Sequence, residues 1–136
     1  MNISHSKTIK NSITEARLQQ EIILWWEENC STWNAESHEL FHIPNGLIAS
    51  NQIRNVKALG VRPGIPDLFL AIPNDVYAGL FIELKAPSVD KTRGLSRVQT
   101  RMVARLNLRG YSAVVVNELE DAIMAITAYM EGVNHV

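Results

Sequence analysis

Two acidic residues and a lysine, Asp67, Glu83 and Lys85, stand out because each lies on a short apolar segment. Asp67 follows Pro66 and opens the segment DLFLAI, and the segment GLFIELK carries Glu83 and Lys85. Such segments are typical of adjacent strands, and the alternation of side chains places Phe81, Glu83 and Lys85 on one face. Acids on neighbouring strands that open toward a cleft can bind a divalent cation, and the lysine can contact a water or phosphate beside it. The predicted chemistry is metal-dependent phosphodiester hydrolysis.

Two polar side chains on apolar helix faces are further candidates. At about 100° per residue, Glu15 falls within the apolar arc of the first predicted helix, where a carboxylate is costly unless it is paired or bound to a metal. Glu21 lies at the edge of the same face and is the competing candidate; we favour Glu15, although a first-turn acid stabilised by the helix dipole is its alternative role. Gln99 lies on the inward face of a later helix and needs a partner, such as a phosphate-bound water or a backbone group.

Positive charge is concentrated in the middle of a nearly neutral chain. The net charge is −1, yet residues 54–109 contain ten Lys and Arg against four Asp and Glu. This asymmetry indicates a basic face that could track a phosphate backbone, with a solvated helix surface as the alternative. The candidate DNA contacts are Arg54, Lys57, Arg62, Lys91, Arg93, Arg97, Arg101 and Arg105.

Composition excludes several other classes. The chain has 136 residues, 46% hydrophobic and 20% charged, which fits one soluble globular domain. Cys30 is its one cysteine, which rules out a disulfide within the chain and a thiolate metal cluster, and His38 and His42 lack the spacing of a zinc site. The sequence shows no signal peptide, membrane-spanning stretch or glycine-rich phosphate loop. We therefore predict a cytoplasmic protein without a small-molecule cofactor.

The elements that must position these residues form a mixed α/β order. A polar segment, residues 1–13, is expected to be flexible, and Thr14 is expected to cap the first helix. Ser96 is the expected cap of a later helix that ends at Gly110, and the apolar segment 111–116 is expected to be a buried strand. The predicted elements are helix 14–29, strand 40–43, short helix 49–59, strands 67–72 and 79–85, helix 96–109, strand 111–116 and helix 118–131.

The ordered motifs resemble a known nuclease family. Gly64–Leu68, Phe81–Pro87 and Leu95–Gln99 resemble the motifs of the virus-type replication-repair nuclease (VRR-NUC) domain, within the PD-(D/E)xK restriction-endonuclease-like superfamily. The spacing from Glu15 to Gln19, the segment 41–46, Gly110-Tyr111 and the closing helix are similar in kind and order. The resemblance covers residues 14–131 and is to the stand-alone, phage-type member. It implies one domain with a restriction-endonuclease-like mixed sheet flanked by helices, in the order α-β-(α)-β-β-α-β-α.

The resemblance also implies roles for individual residues. Asp67, Glu83 and the backbone carbonyl of Leu84 would hold Mg²⁺ or Mn²⁺, with Glu15 (or Glu21) as a further ligand. Lys85 would orient or help to deprotonate the attacking water, and Gln99 would assist in the active site.

The expected activity is that of a structure-selective DNA endonuclease, similar to Holliday-junction resolvases in DNA repair, that acts on branched DNA as a homodimer. The alternatives are a non-catalytic DNA-binding module on the same fold and a flap or restriction-type nuclease.

Overall fold

The computed structural model describes residues 3–44, 53–91 and 93–132, with side chains from residue 15 onward and, in the second range, from residue 56. Its helices are α1 Ile3–Asn29, α2 Ile53–Ala58, α3 Arg97–Leu108 and α4 Leu119–Gly132. Its strands are β1 Leu40–His42, β2 Leu68–Leu70, β3 Leu80–Leu84 and β4 Ser112–Val116. Two 3₁₀ turns, Cys30–Trp33 and Ser37–Glu39, connect α1 to β1.

The strands form one mixed sheet in the order β1-β2-β3-β4. β1 and β2 pair antiparallel, as do β2 and β3, whereas β3 and β4 pair parallel. The side chain of Asn74 accepts hydrogen bonds from the N–H groups of Val76 and Tyr77, at 2.9 and 2.7 Å, and so closes the turn between β2 and β3. The parallel pairing requires a crossover connection, which contains α3. This confirms the predicted α/β class with a mixed sheet.

Alternation along the strands separates the two faces of the sheet. Leu80, Ile82 and Leu84 of β3 are almost fully buried on the face that packs against α1 and α4. Ile22 and Trp26 of α1 are completely buried there. Phe81 and Glu83 therefore point to the opposite face, on the side of α3, as the pattern predicts. The hydrophobic core holds one face in place and leaves the other for the polar side chains.

The start of α3 is confirmed where the sequence predicts it. Ser96 is its N-cap, and its Oγ accepts a hydrogen bond from the N–H of Gln99 at 3.1 Å. The side chain of Gln99 returns the contact, because its Oε1 accepts from the N–H of Ser96 at 2.9 Å. This reciprocal capping box satisfies two backbone donors at the helix start. It also holds the Gln99 side chain against the first turn.

Two local predictions need correction, and a third lies partly outside the described residues. The first helix begins at Ile3, not at Thr14, which lies inside α1. Residues 3–13 contain no Pro or Gly to interrupt a helix, and a possible cap residue does not stop one from extending. β4 is not the fully buried strand that was predicted, because it lies at one edge of the described sheet and only Val116 of its residues is buried. The short helix is seen from Ile53 to Ala58, and residues 49–52 of its predicted span lie outside the described part of the chain.

No helix within the described ranges is both long and apolar enough to cross a membrane. The cytoplasmic location and the proposed domain bounds, 14–131, stay predictions.

Candidate active site

The two acidic residues lie on adjacent strands and are joined through the backbone. Asp67 directly precedes β2, and Glu83 lies within β3, which pairs with β2. The N–H of Leu84 donates to Asp67 Oδ2 at 2.8 Å. The N–H and C=O of one strand residue point to the same side, so the Leu84 carbonyl also points toward Asp67. The sheet therefore brings the two carboxyl groups together, with the Leu84 carbonyl on the side of β3 that faces Asp67.

Gln99 links Glu83 to Lys85. Its Nε2 donates to Glu83 Oε1 at 3.0 Å, and its Oε1 accepts from Lys85 Nζ, also at 3.0 Å. The two donors at Oε1, Lys85 Nζ and the N–H of Ser96, determine the orientation of the amide. Lys85 Nζ is also 3.8 Å from Glu83 Oε1, and these two side chains are only 12% and 3% exposed. The α3 cap thus fixes the position of the ammonium group beside the carboxyl.

Burial, and after it the charge of the nearby Asp67 carboxylate, are the main causes that raise the pKa of Glu83 to about 8. The ammonium of Lys85 opposes the shift, while Glu15 and a hydrogen bond between the Glu83 and Asp67 side chains add to it. Burial likewise raises the pKa of Asp67, against the lowering effects of the Leu84 N–H, His42 and Lys85. Neighbouring buried carboxyl groups cannot both ionise cheaply without a cation, so burial and repulsion favour one bound proton on the pair.

The structure brings Glu15, and not Glu21, to this group. Partial burial raises the pKa of Glu15, the charge of Asp67 raises it further, and the charge of Lys85 lowers it. Glu15 therefore lies within electrostatic range of the paired strands. Glu21 points to the outer surface of α1, where its carboxylate is 3.5 Å from the guanidinium of Arg17.

The donor set fits a hard divalent cation. Carboxylate and carbonyl oxygens are the ligands that Mg²⁺ and Mn²⁺ prefer, and Mg²⁺ needs only one or two carboxylates because water and phosphate complete its shell. A cation in place of the shared proton would let Asp67 and Glu83 ionise together. Among the residues that the structure describes, no three His, Cys, Asp or Glu side chains are grouped so that they could hold a metal ion together. Water and substrate oxygens would have to supply the remaining ligands.

Comparison with known proteins identifies the family and agrees with the fold. The profile of the VRR-NUC domain matches residues 13–118, most of the chain. The chain belongs to the VRR-NUC domain family. A solved structure described as a VRR_NUC domain protein superimposes with a TM-score of 0.74 at 25% sequence identity, over 88% of this chain and 89% of that one. No curated protein matches the sequence significantly.

The basic residues proposed for DNA contact are distributed unevenly around the VRR-NUC domain. Arg97, Arg101 and Arg105 are exposed along α3. Lys91, by contrast, pairs with Asp121 of α4 at 3.1 Å.

Of the other basic candidates, Arg93 and Lys57 are exposed. The exposed Arg62 points back to the Lys57 carbonyl, at 3.5 Å. The side chain of Arg54 lies outside the described residues. The helix α3 therefore carries the best-placed basic surface of this VRR-NUC domain.

Two contacts at the VRR-NUC site were missed by the sequence analysis. His42 Nδ1 lies 2.8 Å from the carbonyl oxygen of Asp67, so the ring supports the backbone of that acid. Gly94 packs against the stem of Lys85, because a Cβ on Gly94 would lie 3.3 Å from Lys85 Cδ and 2.5 Å from Val89 Cγ1. Neither contact has a local sequence signal, since both join residues from different segments. The capping box, in contrast, is visible as the spacing from Ser96 to Gln99.

Replacing Gly94 with alanine is expected to reduce catalysis by about tenfold or more, because a misplacement of about 1 Å in a site can cost that much. The new methyl group would meet the Val89 side chain and the Asp90 carbonyl oxygen, at 2.5 and 2.8 Å, and would press on the stem of Lys85. Gly132→Ala is the matched control, because its new methyl group would only touch Asn74, at 3.8 Å. Cleavage rates and thermal stability of both variants test this. Full activity of a folded Gly94→Ala protein would contradict it.

Proposed function

We propose that this VRR-NUC protein is a divalent-metal-dependent DNA endonuclease. The observation that supports it best is the buried network in which Gln99 holds Glu83 and Lys85 beside Asp67. Burying two acids and an ammonium is costly, and a fold that needed only stability would gain more from apolar residues there.

Each residue has a distinct part in the proposed chemistry. Asp67, Glu83 and the Leu84 carbonyl would hold Mg²⁺ or Mn²⁺, with Glu15 as a further ligand, direct or through water. When bound, the cation lowers the pKa of water and neutralises charge on the phosphate. Lys85 Nζ, held by Gln99, would orient the attacking water and donate to a phosphate oxygen. Gln99 is a positioning residue, because it acts through Glu83 and Lys85.

The same network argues against a non-catalytic DNA-binding module. A module that only binds DNA would need exposed cations, and the exposed arginines of α3 would be sufficient. Lys85 is only 12% exposed and lies among carboxyl groups, where it contributes little to a binding surface.

Selectivity for branched DNA, and for Holliday junctions in particular, is part of the proposal and rests on the family resemblance. Two symmetric cuts in a junction need two active sites, so the proposal includes a homodimer. Sedimentation velocity at micromolar concentration tests this part, and a monomer under those conditions would contradict it.

The activity is tested with labelled linear, flap and four-way-junction DNA in Mg²⁺, in Mn²⁺ and in EDTA. We expect cutting with either cation, none in EDTA, and recovery when Mg²⁺ is added back in excess. Asp67→Ala, purified in parallel, is the control for co-purifying nucleases and should not cut. Cutting that persists in EDTA, or that is equal in the variant, would overturn the proposal.

A further inference from the structure

Four aromatic side chains form a continuous row across the sheet, on the same face as the acids. The row consists of Phe41 on β1, Phe69 on β2, Phe81 on β3 and Tyr111 just before β4. Phe69 lies directly opposite both Phe41 and Phe81 in the strand register. The Phe69 and Phe81 rings stack at 4.3 Å, and Phe41 meets Phe69 edge-on at 5.8 Å.

The row is close to the candidate active site and open to solvent at one end. Phe69 follows Asp67 by two residues and Phe81 precedes Glu83 by two, which corresponds to about 7 Å along each strand. Phe41, on an edge strand of the described sheet, is 43% exposed. The ring of Phe69 lies against the backbone of Gly79, where a Cβ would approach Phe69 Cε1 to 2.6 Å. The rings are therefore held in place before any ligand binds.

A basic helix flank borders the row. Val98 of α3 packs on Gly64, in the loop that leads to Asp67, so this flank faces β2. On the opposite flank, Asn107 Oδ1 accepts a hydrogen bond from the N–H of Ala113 in the edge strand β4. Arg101 and Arg105 follow Val98 by three and seven residues and share its flank. Both are exposed, neither is in an ion pair with a described acid, and α3 contains no acidic residue.

We propose that the aromatic row and the Arg101–Arg105 flank form a groove for an unpaired segment of the DNA substrate, next to the phosphate to be cut. This rests on the proposed function and narrows its branched-DNA substrates to those that present single-stranded nucleotides beside the cleavage point, which a fully paired four-way junction does only when base pairs open at its centre. Aromatic side chains that stack on bases, combined with cations that follow the backbone, are the recurring means of binding single strands. Bases within a duplex are already stacked on one another and cannot use the row.

Charge favours a nucleic-acid strand over a second copy of the chain. A twofold contact through this face would bring two sets of unpaired arginines together, and like charges that face each other across an interface are unfavourable. A single strand supplies phosphates for the arginines and bases for the rings at the same time. The groove also continues directly into the candidate active site.

Binding to a short fluorescent oligodeoxyribonucleotide, and to the blunt duplex of the same sequence, tests the groove without cleavage. The measurement uses the full chain with Lys85→Met, in Mg²⁺, so that cleavage is slow on the time scale of the binding measurement. Adding Phe41→Ala is expected to weaken single-strand binding by about tenfold and to leave duplex binding unchanged. Phe41→Trp should preserve single-strand binding, because it keeps an aromatic ring for stacking. Phe41→Leu should not preserve it, because leucine retains only an apolar side chain. A 2-aminopurine base in the oligonucleotide should be quenched on binding, and less so with Phe41→Ala.

The control is Met124→Ala, which removes a 69% exposed apolar side chain from α4, on the other side of the sheet. Met124→Ala should change neither the affinity for the single strand nor the affinity for the duplex. The proposed groove would be contradicted if Phe41→Ala weakened single-strand and duplex binding equally. It would also be contradicted if Phe41→Ala weakened neither. A change from dimer to monomer in sedimentation would contradict it as well, because that change would assign the row to a subunit contact. If the wild type cuts DNA but Phe41 has no effect, this inference fails alone; if no DNA is cut with either cation, the proposed function fails.

Discussion

Replacing Lys85 with methionine is expected to slow DNA cleavage by about 10²- to 10⁴-fold while divalent-metal binding is retained. Methionine keeps the apolar stem that packs beside Gly94 but removes the ammonium that Gln99 holds at 3.0 Å. Glu83→Ala should lose both cleavage and metal binding, because it removes a ligand. The pair of variants therefore separates the two proposed roles.

The comparison of Lys85→Met with Glu83→Ala needs a suitable pH and a control variant. The charge of Lys85 lowers the pKa of Glu83, so its loss makes Glu83 harder to ionise, and metal binding should be measured by calorimetry above pH 8. Arg17→Met, at an exposed arginine that is not among the candidate DNA contacts, controls for general loss of charge. Single-turnover rates at saturating Mn²⁺ provide the comparison. A Lys85→Met protein that cuts at the wild-type rate, or one that no longer binds metal at all, would show that the assigned role is wrong.

Without a metal ion, the stability of the folded protein is expected to fall as pH rises from about 5 to 8. The pKa of Glu83 is about 8 in the fold, against 4.5 for a free glutamate side chain. Below the lower value both states are protonated, and Glu83 has no effect on stability. Between pH 4.5 and about pH 8, Glu83 keeps its proton in the folded state, whereas the unfolded chain has released it. Each pH unit in this range therefore lowers the free energy of unfolding by about 1.4 kcal/mol. Above the higher value the loss is complete and the dependence levels off.

Urea unfolding in EDTA across this pH range measures the effect. Glu83→Gln should flatten the curve and make the protein more stable than the wild type near pH 8, because a neutral amide has no proton to lose. Mg²⁺ or Mn²⁺ should stabilise the wild type most at high pH and the variant little, since the cation needs the ionised carboxylates. Glu28→Gln, on the exposed surface of α1, is the control. If the unfolding free energy of the wild type does not change between pH 5 and 8, Glu83 does not retain its proton in the folded state and the prediction is wrong.

The strands and the capped helix were predictable because their signals are local. The apolar alternation around Asp67 and Glu83 specifies which side chains share a face, and Ser96 with Gln99 specifies where α3 begins. These features depend on residues a few positions apart, so the neighbouring sequence contains the necessary information. The same local rules were wrong at Thr14, because a favourable cap residue does not prevent a helix from extending past it. The family resemblance also depended on the order of such local motifs.

Only the tertiary structure decided how these parts meet. A helical pattern allows both Glu15 and Glu21 near an apolar face, and the packing of α1 brings Glu15 toward Asp67 and leaves Glu21 with Arg17. A glutamine on an inward face needs partners, and the crossover through α3 supplies them as Glu83 and Lys85. The raised pKa of Glu83 depends on burial and on charges from three separate elements, which no local segment specifies. The sequence by itself therefore determined that Asp67, Glu83 and Lys85 lie on or next to two strands, and folding determined that Gln99 links Glu83 to Lys85 in one buried network.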